Sequence, residues 1–258
     1  DRANLQEGGD AKKIKKAETE LNNSTKYLSL TEQMIEPFAS CDKIIPMYEP
    51  KFKANPDNIE LLRKITTTLD RKNCTDNELF FAATEKLHKM EPTAKSAYMM
   101  GKMLNDKSEY KEAASYLEEA VSKFEDNDSK AKASYMLALC LMNSGQLSAA
   151  RTAAYQVAQY DKTLEGRAVL LVANMYLKSV SSCASHEGKI RGAAWVAYDE
   201  AARAKALDPS IAADAQKVMN AAHSQWPSKE DMFFNSINQG SAFTVGCWIG
   251  KGTTARAR

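Results

Sequence analysis

The sequence predicts an all-α fold, a solenoid of stacked helix pairs closed at its C-terminal end by a small β-hairpin. Three observations carry that prediction. Residues 94–128 read as an amphipathic helix, a polar turn at Asn105–Glu109 and a second amphipathic helix from Tyr110. Small residues (Gly101, Ala113, Ala120) stand where the two helices would touch, and Met100, Leu104 and Leu117 fill the space between them. The arrangement also recurs: Pro56 to Pro92 is 36 residues, and Gly101 to its counterpart Ala138 is 37. Composition is the third observation. Seven prolines and eleven glycines in 258 residues are few, and Ala, Lys, Glu, Leu and Met predominate, as helices require. One such pair cannot bury both of its apolar faces, so it must stack on copies of itself.

Taken in order, Asp1–Gly9 is polar and glycine-containing and is expected to fray or to act as a linker. From Ala11 to Leu21 an apolar stripe of Ile14, Ala17 and Leu21 predicts a charged helix, its lysines forming a solvated face. A second helical stretch is predicted over residues 27–38. Pro46 and Pro50 each remove a backbone donor, so the segment from Cys41 to Phe52 is expected to be kinked or split. Residues 58–70 and 75–90 make a degenerate pair, the second helix opening on a Thr75–Glu78 capping-box pattern. In that helix Phe80 falls where an alanine is expected.

Residues 131–160 form the next pair, with Leu137, Ala138, Leu141, Ala150, Ala154 and Val157 at the packing positions around a turn at Asn143–Gln146. The following pair opens with Val172, Ala173 and Tyr176 and closes with a helix from Trp195 to Leu207, packing through Ala197, Ala201 and Ala204. Between them lies an insertion at 179–191 containing Cys183 and His186, a position where solenoid repeats often carry function. Ile211–His223 is predicted to be a capping helix, and Lys229–Ser236 a short helical turn. In the last segment Phe243, Val245, Cys247 and Ile249 alternate, followed by a Gly250–Gly252 turn and Thr253–Arg258, which predicts a hairpin resting on the last helices. The expected organisation is therefore one continuous solenoid: N-terminal helices with an atypical first repeat (1–57), repeats (58–209), then cap and hairpin (210–258).

The large and small positions Met100, Gly101, Leu104, Ala113, Leu117 and Ala120 resemble the tetratricopeptide repeat (TPR) pattern. That resemblance implies a right-handed α-solenoid of about four helix pairs. The ending, with Phe233-Phe234-Asn235, the run Gly240–Ile249 and Thr253-Thr254-Ala255-Arg256, is similar to that of exported TPR proteins of Bacteroidetes, as is the segment Cys41…Pro56…Cys74. This second resemblance implies a cleaved signal and a periplasmic or envelope location. The first residue is aspartate, in keeping with signal removal or with a fragment of a longer chain.

Function classes narrow by composition. A net charge of +2 gives no electrostatic footprint for nucleic acid or an anionic membrane, and no run approaches the roughly 18 apolar residues of a membrane span. No nucleophile elbow, phosphate-cradling glycine loop, HExxH or dinucleotide fingerprint occurs, and His88 and His223 sit near predicted helix ends, where a cation complements the dipole. No catalytic role and no cofactor is expected.

The TPR resemblance implies that the first helix of each pair lines a concave groove. Its outward positions would be Lys95, Tyr98, Lys102 and Asn105, then Lys132, Tyr135, Leu139 and Met142, then Arg167, Leu170, Asn174 and Leu177. Such a basic, aromatic and amide surface suits an acidic peptide, and the alternatives are an ordinary solvated face or a groove filled by the protein's own tail. The carboxylate-clamp pattern of chaperone-binding relatives is not met, since Tyr98 and Lys102 stand where it requires lysine and asparagine.

Five cysteines admit two readings, buried small hydrophobes or bridge partners. The pairs Cys41–Cys74 and Cys183–Cys247 are candidate disulfides that an oxidising periplasm would permit, while Cys140 within a repeat helix reads as core. Cys183-Ala-Ser-His186 has the spacing of half a zinc site, but the chain offers no second close pair. The leading expectation is thus a non-catalytic scaffold binding a protein or peptide partner in the bacterial envelope. The alternatives are a redox- or metal-linked protein using Cys183, His186 and Cys247, or a purely structural assembly subunit.

Overall fold

The computed structural model describes residues 39–258, together with the helical positions 12, 13, 15, 16, 18–20, 22–24, 26, 27, 30, 31 and 34. The expectations for residues 1–9, for the stripe Ile14, Ala17 and Leu21, and for much of 27–38 lie outside the described residues. The chain divides into two compact units, Asp1–Ala83 and Thr84–Arg258. That boundary falls inside a helix.

In the first unit, α1 (Cys41–Ala54) and α2 (Ile59–Arg71) pack on each other. Of the two expected outcomes, a split does not occur: α1 runs as one helix through Pro46 and Pro50. Both prolines lie on its exposed side, where a carbonyl left without its helical amide can be hydrated, while Ile44 and Tyr48 are buried on the other. Asn58 caps α2 by accepting from the Leu61 amide at 3.0 Å. The expected Thr75–Glu78 capping box is also corrected. Helix α3 (Glu78–Met90) begins later and is capped by Asn77, whose Oδ1 accepts from the Phe80 amide at 2.9 Å. The Asn77 amide in turn donates to the Cys74 carbonyl at 2.7 Å, and Phe80 is fully buried.

The second unit continues with α4 (Ala94–Asp106), α5 (Tyr110–Lys123), α6 (Asn127–Asn143), α7 (Leu147–Tyr160), α8 (Glu165–Lys178), α9 (Gly192–Leu207), α10 (Ala212–Ser224) and the short α11 (Lys229–Phe234). Each helix from α4 to α10 packs on its neighbours in sequence, and the first helices α4, α6, α8 and α10 also touch in succession. This is the stacking of an all-α solenoid. One motif recurs at the joints: a residue from each of three consecutive helices closes a small apolar cluster. Ala97, Ala120 and Ala133 make one, Ala131, Val157 and Ala168 the next, and Val169, Ala204 and Ile211 a third. Small residues are required there because the backbones come close. A Cβ on Gly101 would stand 2.5 Å from Leu117 Cγ, and Leu117 is itself fully buried.

The helix starts are capped as their sequences dictate. Thr93 and Ser96 form a reciprocal capping box at α4, and Asp126 accepts from the Ser129 amide at 2.7 Å at α6. The C-terminal hairpin is shorter than the alternation indicated. Strand β1 is Ala242–Val245 and β2 is Lys251–Thr254, antiparallel, with Val245 opposite Lys251. Cys247 and Ile249 belong to the connecting loop and not to a strand, because Cys247 takes a left-handed conformation (φ 55°) that ends the pairing. Among the described residues no helix is long and apolar enough to cross a membrane.

Candidate functional site: a groove on the first helices

A cavity of about 780 Å³ opens between α6, α8 and the start of α10. Tyr135, Leu139 and Met142 project from α6 at positions i, i+4 and i+7. Arg167, Leu170, Asn174 and Leu177 project from α8 with the matching helical spacing. Leu171, Lys178, Ser210, Ile211 and Asp214 complete the wall. The last three belong to the 3₁₀ turn Pro209–Ile211 and the first turn of α10, the segment read from sequence as a cap. It has the position of a further first helix. Its Asp208-Pro209-Ser210 start, the analogue of the capped start at Asp161, was the signal available for that role.

Of the groove positions expected from sequence, the cavity brings together Tyr135, Leu139, Arg167 and Asn174, with Met142, Leu170 and Leu177. Lys95, Tyr98, Lys102, Asn105 and Lys132 do not line it. Tyr98 turns toward Phe124, edge to face at 6.3 Å, beside the Ala97 cluster. Asn105 accepts from the Cys140 thiol at 3.4 Å, joining α4 to α6. Lys132 pairs with Asp128 at 2.6 Å, both side chains exposed, and that bond raises its ammonium above the usual lysine range.

The electrostatics of the cavity are uneven. Burial pushes the Tyr135 phenol above its usual range, partly offset by the Arg167 guanidinium, so the hydroxyl remains a donor. Arg167 reaches Asp208 only at 4.0 Å. Asp208 is engaged elsewhere: its carboxylate accepts from the Ser210 hydroxyl at 2.6 Å and amide at 2.9 Å, which holds it below the ordinary carboxyl range. Asp214 is matched by Lys217 at 2.8 Å. The Asn174 amide donates to the Leu170 carbonyl at 2.9 Å, leaving its oxygen for a partner.

The C-terminal segment docks elsewhere on the unit. Trp248 lies against Tyr176 at 5.5 Å and donates to the Ser179 hydroxyl at 3.1 Å. Arg151 of α7 lies over the Trp248 ring at 5.2 Å and donates to the Ile249 carbonyl at 2.7 Å. Lys251 pairs with Glu200, Thr253 donates to Asp199 at 2.6 Å, and Trp195 donates to the Arg256 carbonyl at 2.8 Å. None of these helix residues lines the cavity. The tail therefore does not fill the groove.

Disulfides join Cys41 to Cys74 (Cα–Cα 5.6 Å) and Cys183 to Cys247 (5.7 Å). The second ties the 179–191 insertion to the hairpin loop. In that state neither sulfur is a thiolate for a metal, and His186 Nδ1 instead faces the Ser185 hydroxyl at 2.9 Å. Among the described residues no group of three potential ligands gathers. Cys140 is buried and free, its thiol pushed up to about 11 chiefly by burial.

One constellation unforeseen in the sequence is His88, Ser96 and Glu119. His88 Nδ1 lies 3.0 Å from Ser96 Oγ and its Nε2 3.9 Å from Glu119. The order is that of a nucleophile, its base and an orienting acid, but the Ser96 hydroxyl is spent on structure. It donates to the Glu91 carbonyl at 2.6 Å and accepts from the Thr93 amide at 2.9 Å, and Ser96 is 2% exposed. With that proton committed, His88 serves as a donor to Ser96. The group fixes the turn between α3 and α4.

No family model matches the chain, and no curated protein matches it. A similar solved structure is that described as YrrB, a TPR protein with an unusual peptide-binding site. It covers 73% of this chain and 97% of its own at 16% identity, with a TM-score of 0.45.

Proposed function

We propose that this protein is a TPR-type binding or scaffold module, without chemistry of its own, whose groove receives a protein or peptide partner. The observation that carries this reading is the cavity between α6, α8 and α10. Its Leu139, Met142, Leu170 and Leu177 are half-buried, its polar groups are not all spent internally, and the tail that could have filled it docks elsewhere. Grooves of this kind are the working surface of stacked helix pairs. The two disulfides support an oxidising compartment, so the proposal extends to an exported protein of the bacterial envelope, of the Bacteroidetes kind its ending resembles. The test is purification of the native protein under mild conditions, identification of any stoichiometric companion, and repetition with Tyr135→Ala and Leu139→Ala combined. Loss of the companion with helicity intact is the expected result. Retention would place the contact elsewhere.

The structural-subunit alternative has one observation in its favour. Phe233 and Phe234 at the end of α11 are 78% and 79% exposed, an arrangement that suits burial in an assembly. If the companion is lost on changing these two and kept by the groove variant, that reading replaces the first.

A further inference from the structure

We infer that the groove is selective for an extended segment in which a bulky apolar residue is flanked, two positions away on either side, by carboxylates; this rests on the groove being the binding surface. The cavity has two cationic ends and an apolar middle. Arg167 and Lys178 both line it and lie on the same helix, about 16 Å apart along its axis. Lys178 has no ion pair among the described residues, and Arg167 has only the long contact of 4.0 Å to Asp208. Asp214, the acid on the opposite wall, already has its lysine at 2.8 Å. The unmatched charge of the cavity is therefore positive.

Between the cations the floor is Leu139, Met142, Leu170 and Leu177. Beside Arg167, on α6, stands the Tyr135 hydroxyl, for which no hydrogen-bond partner occurs among the described residues. Guanidinium and phenol together can present two donors to one carboxylate. An extended chain advances about 3.3 Å per residue, and alternate side chains share a face. Side chains i and i+4 are then about 13 Å apart, within the reach of Arg167 and Lys178, and i+2 falls on the leucines between them.

The test is selection of a random heptapeptide display library on the immobilised full chain, with circular dichroism verifying each variant. The wild type should enrich acid–x–apolar–x–acid sequences. The defining result is inversion: Arg167→Glu or Lys178→Glu should replace one of the two acids by a base, which loss of fold would not produce. A synthetic peptide with one acid changed to Ser should bind about tenfold weaker, in line with one charge-assisted contact. Two results would overturn the inference. If enriched peptides show no acidic preference but are lost on Asn174→Trp, which fills the cavity, the groove is a binding site and the selectivity is wrong. If nothing is enriched, or enrichment survives Asn174→Trp, the groove reading falls as well.

Discussion

Lys251 of β2 pairs with Glu200 of α9, a carboxylate that is 2% exposed and also holds Arg203 at 3.3 Å. The hairpin is thus fastened to the last helix pair by a buried charge, and the strand and helix depend on each other.

Removing one partner should reveal that dependence. Lys251→Met leaves Glu200 with Arg203 alone and is expected to cost about 2–3 kcal/mol, because a buried carboxylate loses its nearest cation. Adding Glu200→Gln should recover part of the loss. Urea unfolding of the two single variants and the double variant gives the coupling directly.

Gly101 is held by space, not by backbone conformation. Its missing Cβ would meet Leu117 Cγ at 2.5 Å and the Ala113 carbonyl at 3.2 Å. Gly101→Ala should therefore destabilise by about 1–3 kcal/mol, although alanine is the better helix former. An unchanged or raised midpoint in urea would mean that α4 and α5 are farther apart than described.

Alkaline stability should decline in a defined window. Burial raises the Cys140 thiol from 9.0 to about 11, and burial with the neighbouring Tyr176 raises Tyr155 from 10.0 to about 12. Both groups are acids that keep their protons to higher pH in the fold than in the unfolded chain. Their contribution is complete below about pH 9 and is lost progressively as pH rises toward 11 and 12. Cys140→Ala should flatten the first part of that decline, as read from urea midpoints between about pH 8 and 11. Without denaturant, a thiol reagent at about pH 8 should find no reactive cysteine, and with denaturant one.

The Cys183–Cys247 bond closes a loop with a sequence separation of 64, which corresponds to about 4 kcal/mol of chain entropy in the unfolded state. Changing both cysteines to Ser should lower the unfolding midpoint accordingly. The hairpin should nevertheless stay docked through Arg151, Trp195 and Trp248, which amide exchange of residues 242–254 would show as retained protection.

The helix pairs of residues 94–160 were legible because their periodicity is local: small and large residues alternate at helical spacing, and the turns carry Gly145 or Asn105. What could not be read depends on neighbours. The continuity of α1 through Pro46 and Pro50 follows from which side faces water. The end of β1 at Val245 follows from Cys247 being drawn to Cys183 in a left-handed conformation. At the candidate site, helical spacing marked Tyr98 and Tyr135 as equivalents, and both do pack beside matching three-helix clusters, yet the cavity opens only between α6, α8 and α10, so only Tyr135 lines it. The wall made by Ser210, Ile211 and Asp214 was hidden because a capping helix and a further first helix look alike until the preceding helices are in place.

The most direct test of the groove as the working surface is site-specific photo-crosslinking in the cells that produce the protein. A photoreactive side chain is placed at Asn174, inside the cavity, and in a separate protein at Thr244, exposed on the hairpin. The account predicts a single stoichiometric cross-link from position 174 and none from position 244. A cross-link from 244 with none from 174 would contradict it and move the partner to the hairpin face.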